Sequence, residues 1–182
     1  MSPEPDPVID EEDEGAARLQ RSSVTDPAVF LVTGFASGFL RPAPGTWGSL
    51  VALVIWWLLL GGLSWQWQLV AVAGTVAVGT GLTHVVCRRY GVHDDPRIVI
   101  DEFAGLWLTL IGSPVTFLGG LSGFLLFRAI DIAKIWPVSW ADRRVSGAVG
   151  VMLDDLLAGG LALAVLQLAF FLLAWPAAHP SL

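Results

Sequence analysis

Apolar residues run along this chain in long blocks, broken by short islands of charge. The blocks cover residues 47–63, 67–87, 103–118, 121–138 and 151–175. Each is close to the roughly 20 residues a helix needs to cross the hydrocarbon core of a bilayer. The third is broken at Gly112, Ser113 and Pro114, because proline removes a helical donor and glycine relaxes the backbone. A further apolar stretch at 28–40 has thirteen residues and is interrupted by Gly34 and Gly38. It is too short to span and reads as a re-entrant or interfacial segment. The pattern predicts an all-α, polytopic membrane bundle of about five spans, preceded by that short segment. Small residues along the fifth block, Ala158, Gly159, Gly160, Ala162 and Ala164, predict close helix approach there.

Composition agrees: 54% of residues are hydrophobic, 14% are charged, and the mean hydropathy is +0.67. That is too apolar for an ordinary soluble domain of this size. The net charge of -6 is local, since residues 1–26 hold eight acidic residues and two arginines and the remainder holds eight of each sign. Residues 1–27 therefore read as a disordered acidic cytoplasmic tail, a solvated spectator with no catalytic part and no signal-peptide pattern. Residues 28–176 read as the membrane-embedded domain and 177–182 as a C-terminal tail. Cys87 is the only cysteine, so there is no intrachain disulfide and no thiolate metal cluster. Cys87 reads as packing, and His84 as a satisfied helix-end residue. The partner class is the membrane, with no nucleic acid expected.

Charge also orients the chain. The connections at 61–66 and 119–122 carry none, whereas 1–46, 88–102 and 139–155 hold nearly all of it. With five spans those three segments share one side. Arg88, Arg89, Arg97, Arg143 and Arg144 near span ends make that side cytoplasmic, with the N-terminus in and the C-terminus out.

Chemistry concentrates where the charge does. Arg128, Asp131 and Lys134 recur at i, i+3 and i+6 inside an apolar block, forming one polar stripe on a helix. Asp142, Arg143, Arg144, Asp154 and Asp155 follow, and Asp94, Asp95, Asp101 and Glu102 form another acidic island on the same side. Clustered carboxylates suit a hard, oxygen-seeking cation, Mg²⁺ first. Arginine and lysine among them can neutralise a phosphate. Metal and basic clamp together are the toolkit of phosphoryl-group hydrolysis. Asp101 with Glu102, and Asp154 with Asp155, also admit a helix-dipole or capping role. The loop at 41–49, RPAPGTWGS, can cradle a phosphate on exposed amides near Thr46 and Ser49, or be a plain turn before a membrane helix. The sixth residue after Cys87 is His93 and not arginine, and no GxxxxGK[ST] loop is present, which sets aside a thiolate phosphatase and a nucleotide-binding loop. Rival readings of the same buried acids are an ion or proton transporter and a non-catalytic assembly subunit.

Three segments carry a resemblance: TGFASGFLRPAPGTWGSL (33–50), IVIDEFAG (98–105) and FRAIDIAKIWPVSWADRRVSGAVGVMLDDLLAG (127–159). In order, spacing and membrane context they resemble the signature blocks of the phosphatidylglycerophosphatase A family, from about residue 29 to 173. The resemblance implies a Mg²⁺-dependent enzyme of the bacterial inner (cytoplasmic) membrane, multi-pass, with its active site facing the cytoplasm. Its implied substrate is phosphatidylglycerophosphate, whose terminal phosphate is removed to give phosphatidylglycerol. Carried over by position, Asp101, Glu102, Asp131, Asp154 and Asp155 are the expected catalytic and metal-binding residues. Arg128, Lys134, Arg143, Thr46 and Ser49 are the expected phosphate contacts. A water activated by the metal is the expected nucleophile, with a carboxylate nucleophile as the alternative. Ala36, Ile135 and the stretch 146–149 depart from the family pattern, but no charge is lost there.

Overall fold

The computed structural model describes residues 11–22, 25–93 and 95–178, with side chains over 13–22, 25–93 and 95–173. The described residues form eight α-helices and no strand, so the all-α expectation holds. Helix α1 covers Glu11–Arg21 and α2 covers Pro27–Val32, followed by a 3₁₀ turn at Ser37–Phe39. Helix α3 runs Pro44–Ile55 and continues as a π-helical turn over Trp56–Leu60. Then come α4 (Trp65–Tyr90), α5 (Ile100–Thr109), α6 (Phe117–Ala133), α7 (Val138–Arg144) and α8 (Gly147–Ala178).

Two of these are long and apolar enough to cross a membrane: α4, and α8 over Gly147–Leu173. The segment Pro44–Leu60 is apolar but shorter. The third apolar block departs most from expectation. Its helix, α5, has ten residues, about 15 Å of rise, or half a hydrocarbon core. Residues 114–118, expected as its second half, instead lead into α6, where the Thr116 side chain caps the helix by accepting from the Gly119 amide. The expected charge-free connection at 119–122 is therefore helical, and the true connection lies at 110–116.

Helix α5 is central. Glu102, Phe103, Ala104, Gly105, Leu106 and Thr109 are all buried, and Phe103 and Leu106 join Trp56, Phe124, Phe127 and Ala158 in the main core. Contacts along α5 give the direction of every neighbour. Ser49 meets Glu102 while Trp107 Nε1 donates to the Ala52 carbonyl, so α3 runs parallel to α5. The pairs Gly105–Gly159 and Ile111–Gln167 make α8 parallel as well. Gln68 near Gly112, with Gly79 against Ile100, makes α4 antiparallel. Arg128 near Glu102, with Gly123 against Leu110, does the same for α6. The N-termini of α3, α5 and α8 thus gather at one end with the C-termini of α4 and α6, and that end carries the charge. The exterior away from it is apolar, with Leu58, Leu59, Phe117, Leu118, Leu172 and Leu173 all exposed.

Residues 1–10 and 23–24 lie outside the described residues, but the described part of the expected disordered tail is not featureless. Helix α1 buries Leu19 completely, in a satellite cluster with Val29, Val32, Val86, Val92 and Ile98. Gly15 sits so close to the end of α4 that a Cβ there would lie 2.1 Å from the Tyr90 carbonyl oxygen. Arg97 Nη1 donates to the Ala16 carbonyl at 2.8 Å, and Asp26 accepts from Arg89 at 2.6 Å and from Tyr90 at 3.0 Å. An amphipathic register offered by Ala16 and Leu19 overrides the unfavourable composition once a hydrophobic surface is there to receive it.

Candidate active site

The site is made by one close helix crossing. A Cβ on Gly159 would lie 2.3 Å from the Gly105 carbonyl oxygen, and one on Gly105 would lie 2.7 Å from the Asp155 carbonyl oxygen. Only glycine at both positions lets the two backbones approach this far. Thr109 Oγ1 bridges the crossing, donating to the Gly105 carbonyl at 2.9 Å and lying 3.3 Å from that of Gly159. Asp101 and Asp155 are each four residues, about one turn, before these glycines on parallel helices. The crossing therefore forces Asp101, Glu102, Asp154 and Asp155 together.

Helix α6 brings cations to them. Arg128 Nη1 engages the Glu102 carboxylate and lies 2.8 Å from Asp131 Oδ2. Lys134 does not continue the stripe. The helix stops at Ala133, and Lys134 caps it in the left-handed region at φ 45°, because Pro137 ahead has no amide to extend the ladder. This turn swings its ammonium across to Asp142 at 2.5 Å and Asp154 at 2.7 Å. The expected fourth span at 121–138 accordingly stops at Ala133, and α7 begins only at Val138.

Helix α3 supplies the remaining wall. It starts with Pro44 in its first turn and has no side-chain cap on Ala43, so the first amides have no intrahelical partner. Gly45 is required there: a Cβ would lie 2.0 Å from Glu102 Oε1 and 3.2 Å from Arg128 Nη2.

These groups line a cavity of about 1050 Å³. Asp101, Glu102, Asp131, Asp154, Asp155, Arg128, Lys134 and Arg143 all face it, together with Gly45 and Asp142. Asp94 lies outside the described residues. Thr46 and Ser49 do not line the cavity. Ser49 is fully buried and donates to Glu102 Oε2 at 2.8 Å, so in this arrangement it holds a carboxylate. Sequence reasoning gave no site role to Thr83, His84, Cys87, Arg88, His93 or Arg144, which also line the cavity. The i, i+4 spacing of His84 and Arg88 at the end of α4 is the signal that could have found part of this set.

Two buried polar atoms in the site have no hydrogen-bond partner, Asp155 Oδ2 and Arg128 Nε. A buried carboxylate oxygen and a buried guanidinium N–H without partners are expensive unless a ligand satisfies them. Among the described residues no group of three or more His, Cys, Asp or Glu side chains stands ready to hold a metal ion; Glu102 and Asp131 are engaged by Arg128, and Asp154 by Lys134. The donor chemistry does suit a hard cation: all the candidate ligands are carboxylates, Asp155 has its free oxygen, and Asp101 has no cation partner among the described residues.

Fold and site define a helical protein with membrane-length apolar helices and, at one end, a cavity in which buried carboxylates face arginine and lysine. The sequence model of phosphatidylglycerophosphatase A matches residues 30–170. Phosphatidylglycerophosphatase A of Escherichia coli (strain K12) is 39% identical over 147 residues, 80% of this chain and 85% of that protein. That of Haemophilus influenzae is 36% identical over 148 residues, covering 81% and 91%. The chain belongs to the phosphatidylglycerophosphatase A family. No solved structure matches it.

Proposed function

We propose that this protein hydrolyses the terminal phosphomonoester of phosphatidylglycerophosphate, releasing phosphatidylglycerol and phosphate, with Mg²⁺ as its cofactor. The observation that carries the reading is the cavity end of the bundle. Five buried or half-buried carboxylates meet Arg128 and Lys134 there, in a chain of this family.

Arg128 binds the phosphoryl group through its unpartnered Nε edge, while its Nη1 remains tied to Glu102 and Asp131. The free amides at the start of α3 face the same cavity wall and favour an anion. Lys134, suspended between Asp142 and Asp154, neutralises charge as the P–O bond to the glycerol oxygen breaks. Asp101 and Asp155, the carboxylates without a cation partner among the described residues, would hold the cation first, and Glu102, Asp131 and Asp154 would be its further carboxylate ligands. When bound, a divalent ion would polarise the phosphoryl oxygens and lower the pKa of an attacking water.

The gathering of α3, α5 and α8 N-termini with α4 and α6 C-termini supports a bundle whose charged end faces the cytoplasm. On this reading the protein is a multi-pass protein of the bacterial inner membrane, with five membrane-inserted segments of which α5 is a half-length, protein-buried element. Residues 28–176 constitute the phosphatase domain. The test is phosphate release from phosphatidylglycerophosphate by the purified, detergent-solubilised protein, with and without chelator. Activity that is lost in chelator and restored by Mg²⁺ is expected; full turnover in excess chelator would remove the metal from the proposal. Single cysteines at 142 and 147, in a chain lacking Cys87, should label from the cytoplasmic side and one at 64 from the outside.

A further inference from the structure

The cavity is larger than one phosphate requires; about 300–1000 Å³ already holds a drug-sized ligand. Its cations fall into two sets. Arg128 and Lys134 sit among the carboxylates and are each ion-paired with two of them, Arg128 through Nη1 alone. Arg88, at the end of α4, and Arg143 and Arg144, at the end of α7, also line the cavity, are exposed, and make no ion pair among the described residues; Arg143 is already the expected contact of the phosphomonoester, which leaves Arg88 and Arg144 without a role. The described acids near them are already taken, Asp95 by Arg97 and Asp142 by Lys134. Arg88 also stands further toward the charged end than the start of α5. Gly79 packs on Met152 and Ile100, and Arg88 lies nine residues further toward the charged end, roughly 13 Å along the helix.

We propose that Arg88 and Arg144 form a second anion subsite, at the cavity mouth, which binds the phosphodiester of the substrate headgroup while its phosphomonoester sits at Arg128. The inference rests on the proposed phosphatase reading and adds a determinant of substrate choice. A lipid whose headgroup carries both a monoester and a diester engages both sets of cations, and a monoester alone engages only the inner set. His84, one turn from Arg88 on the same face and also lining the cavity, adds a donor at the mouth.

The test uses the full chain in uncharged detergent micelles containing no other phospholipid, so that the only phosphodiester is the substrate's own or one that is added. In the R88A/R144A protein, KM for phosphatidylglycerophosphate should rise about tenfold or more with kcat within about twofold, the pattern of lost uniform binding. Competitive inhibition by glycerophosphoglycerol, a soluble diester, should weaken by a similar factor, while inhibition by glycerol 3-phosphate, a monoester, should stay within about twofold. R88K/R144K should recover part of the KM loss, since charge survives without the bidentate fork. An unchanged KM, or equal weakening of both inhibitors, would overturn the subsite. A KM effect that appears only in anionic vesicles would assign the two arginines to the surrounding bilayer and overturn it too. If the parent protein releases no phosphate from phosphatidylglycerophosphate, the phosphatase reading itself fails, an outcome separate from these.

Discussion

Ser49 Oγ donates to Glu102 Oε2 at 2.8 Å, and Arg128 engages the same carboxylate oxygen. One buried oxygen thus ties α3, α5 and α6 together at the cavity floor. The serine holds the acceptor in place and the arginine supplies its counter-charge. Ser49→Ala should therefore lower kcat by about tenfold, the loss expected for a hydrogen bond to a charged group, with little change in KM. An unchanged kcat would show that Arg128 alone positions Glu102.

Gly45→Ala is the sharper test of the floor. The added methyl carbon would stand 2.0 Å from Glu102 Oε1, so the carboxylate must move. A displacement of that order at a reacting group costs roughly a hundredfold or more in turnover. Helical content and detergent-stable monodispersity should remain those of the parent, and near-parental kcat would mean that the Glu102 position is not critical.

Asp131 and Arg128 are paired at 2.8 Å but carry different roles. Asp131→Asn keeps volume and removes the charge a hard cation needs, so turnover should be abolished at ordinary Mg²⁺ and partly restored by raised Mg²⁺. Arg128→Lys keeps charge but loses the fork, so residual activity should persist with a raised KM. Removing one member of a buried pair can cost about 3–5 kcal/mol. Thermal unfolding of both variants therefore has to accompany the kinetics. A folded Asp131→Asn enzyme with parental turnover would reduce Asp131 to a structural partner of Arg128.

Deleting residues 1–26 should not be silent, although composition alone reads the segment as a spectator. Leu19 is completely buried, a contribution of roughly 1.5–3 kcal/mol. Arg97, whose neighbours Asp95, Pro96 and Ile98 line the cavity, loses its bond to Ala16. A lower melting temperature and a KM raised by about threefold or more are expected, while kcat should hold. An unchanged melting temperature would show that α1 contributes nothing to the fold.

The same segment predicts an acid dependence. Burial pushes the Asp26 carboxyl up, but the Ala28 amide, Arg89 and Tyr90 outweigh it and hold it below its ordinary value of 3.8. Because the folded value is depressed, this contribution to stability is present above the unfolded value and is lost as pH falls through the folded one. Stability of the parent should thus fall more steeply on acidification through that window than stability of Asp26→Asn. Parallel curves would show that the carboxylate carries no folding linkage.

Much was legible in the chain alone because it rests on local chemistry. Long apolar blocks must become helices wherever water is excluded, since every backbone group then needs an internal partner. The charge islands at 88–102, 127–134 and 139–155 had to gather at one end, because ionisable groups cannot be left facing lipid. Their residue types already named oxygen-ligand and phosphate chemistry. The lengths of the elements were not legible in the same way. Residues 103–118 look like one interrupted span, yet α5 ends at Thr109, because a helix packed against several others can stop wherever its neighbours satisfy it. Asp101 meets Asp155 only through the Gly105–Gly159 crossing, a long-range fit that no window of sequence displays. Ser49 looked like a phosphate donor until the packing of α3 on α5 gave its hydroxyl to Glu102. Residues 11–21 looked disordered because their partner surface, around Tyr90 and Ile98, lies about eighty residues away. Sequence determined which groups had to be sheltered and at which end. Tertiary packing decided which of them touch, because contact between distant residues depends on helix crossings set by the whole core.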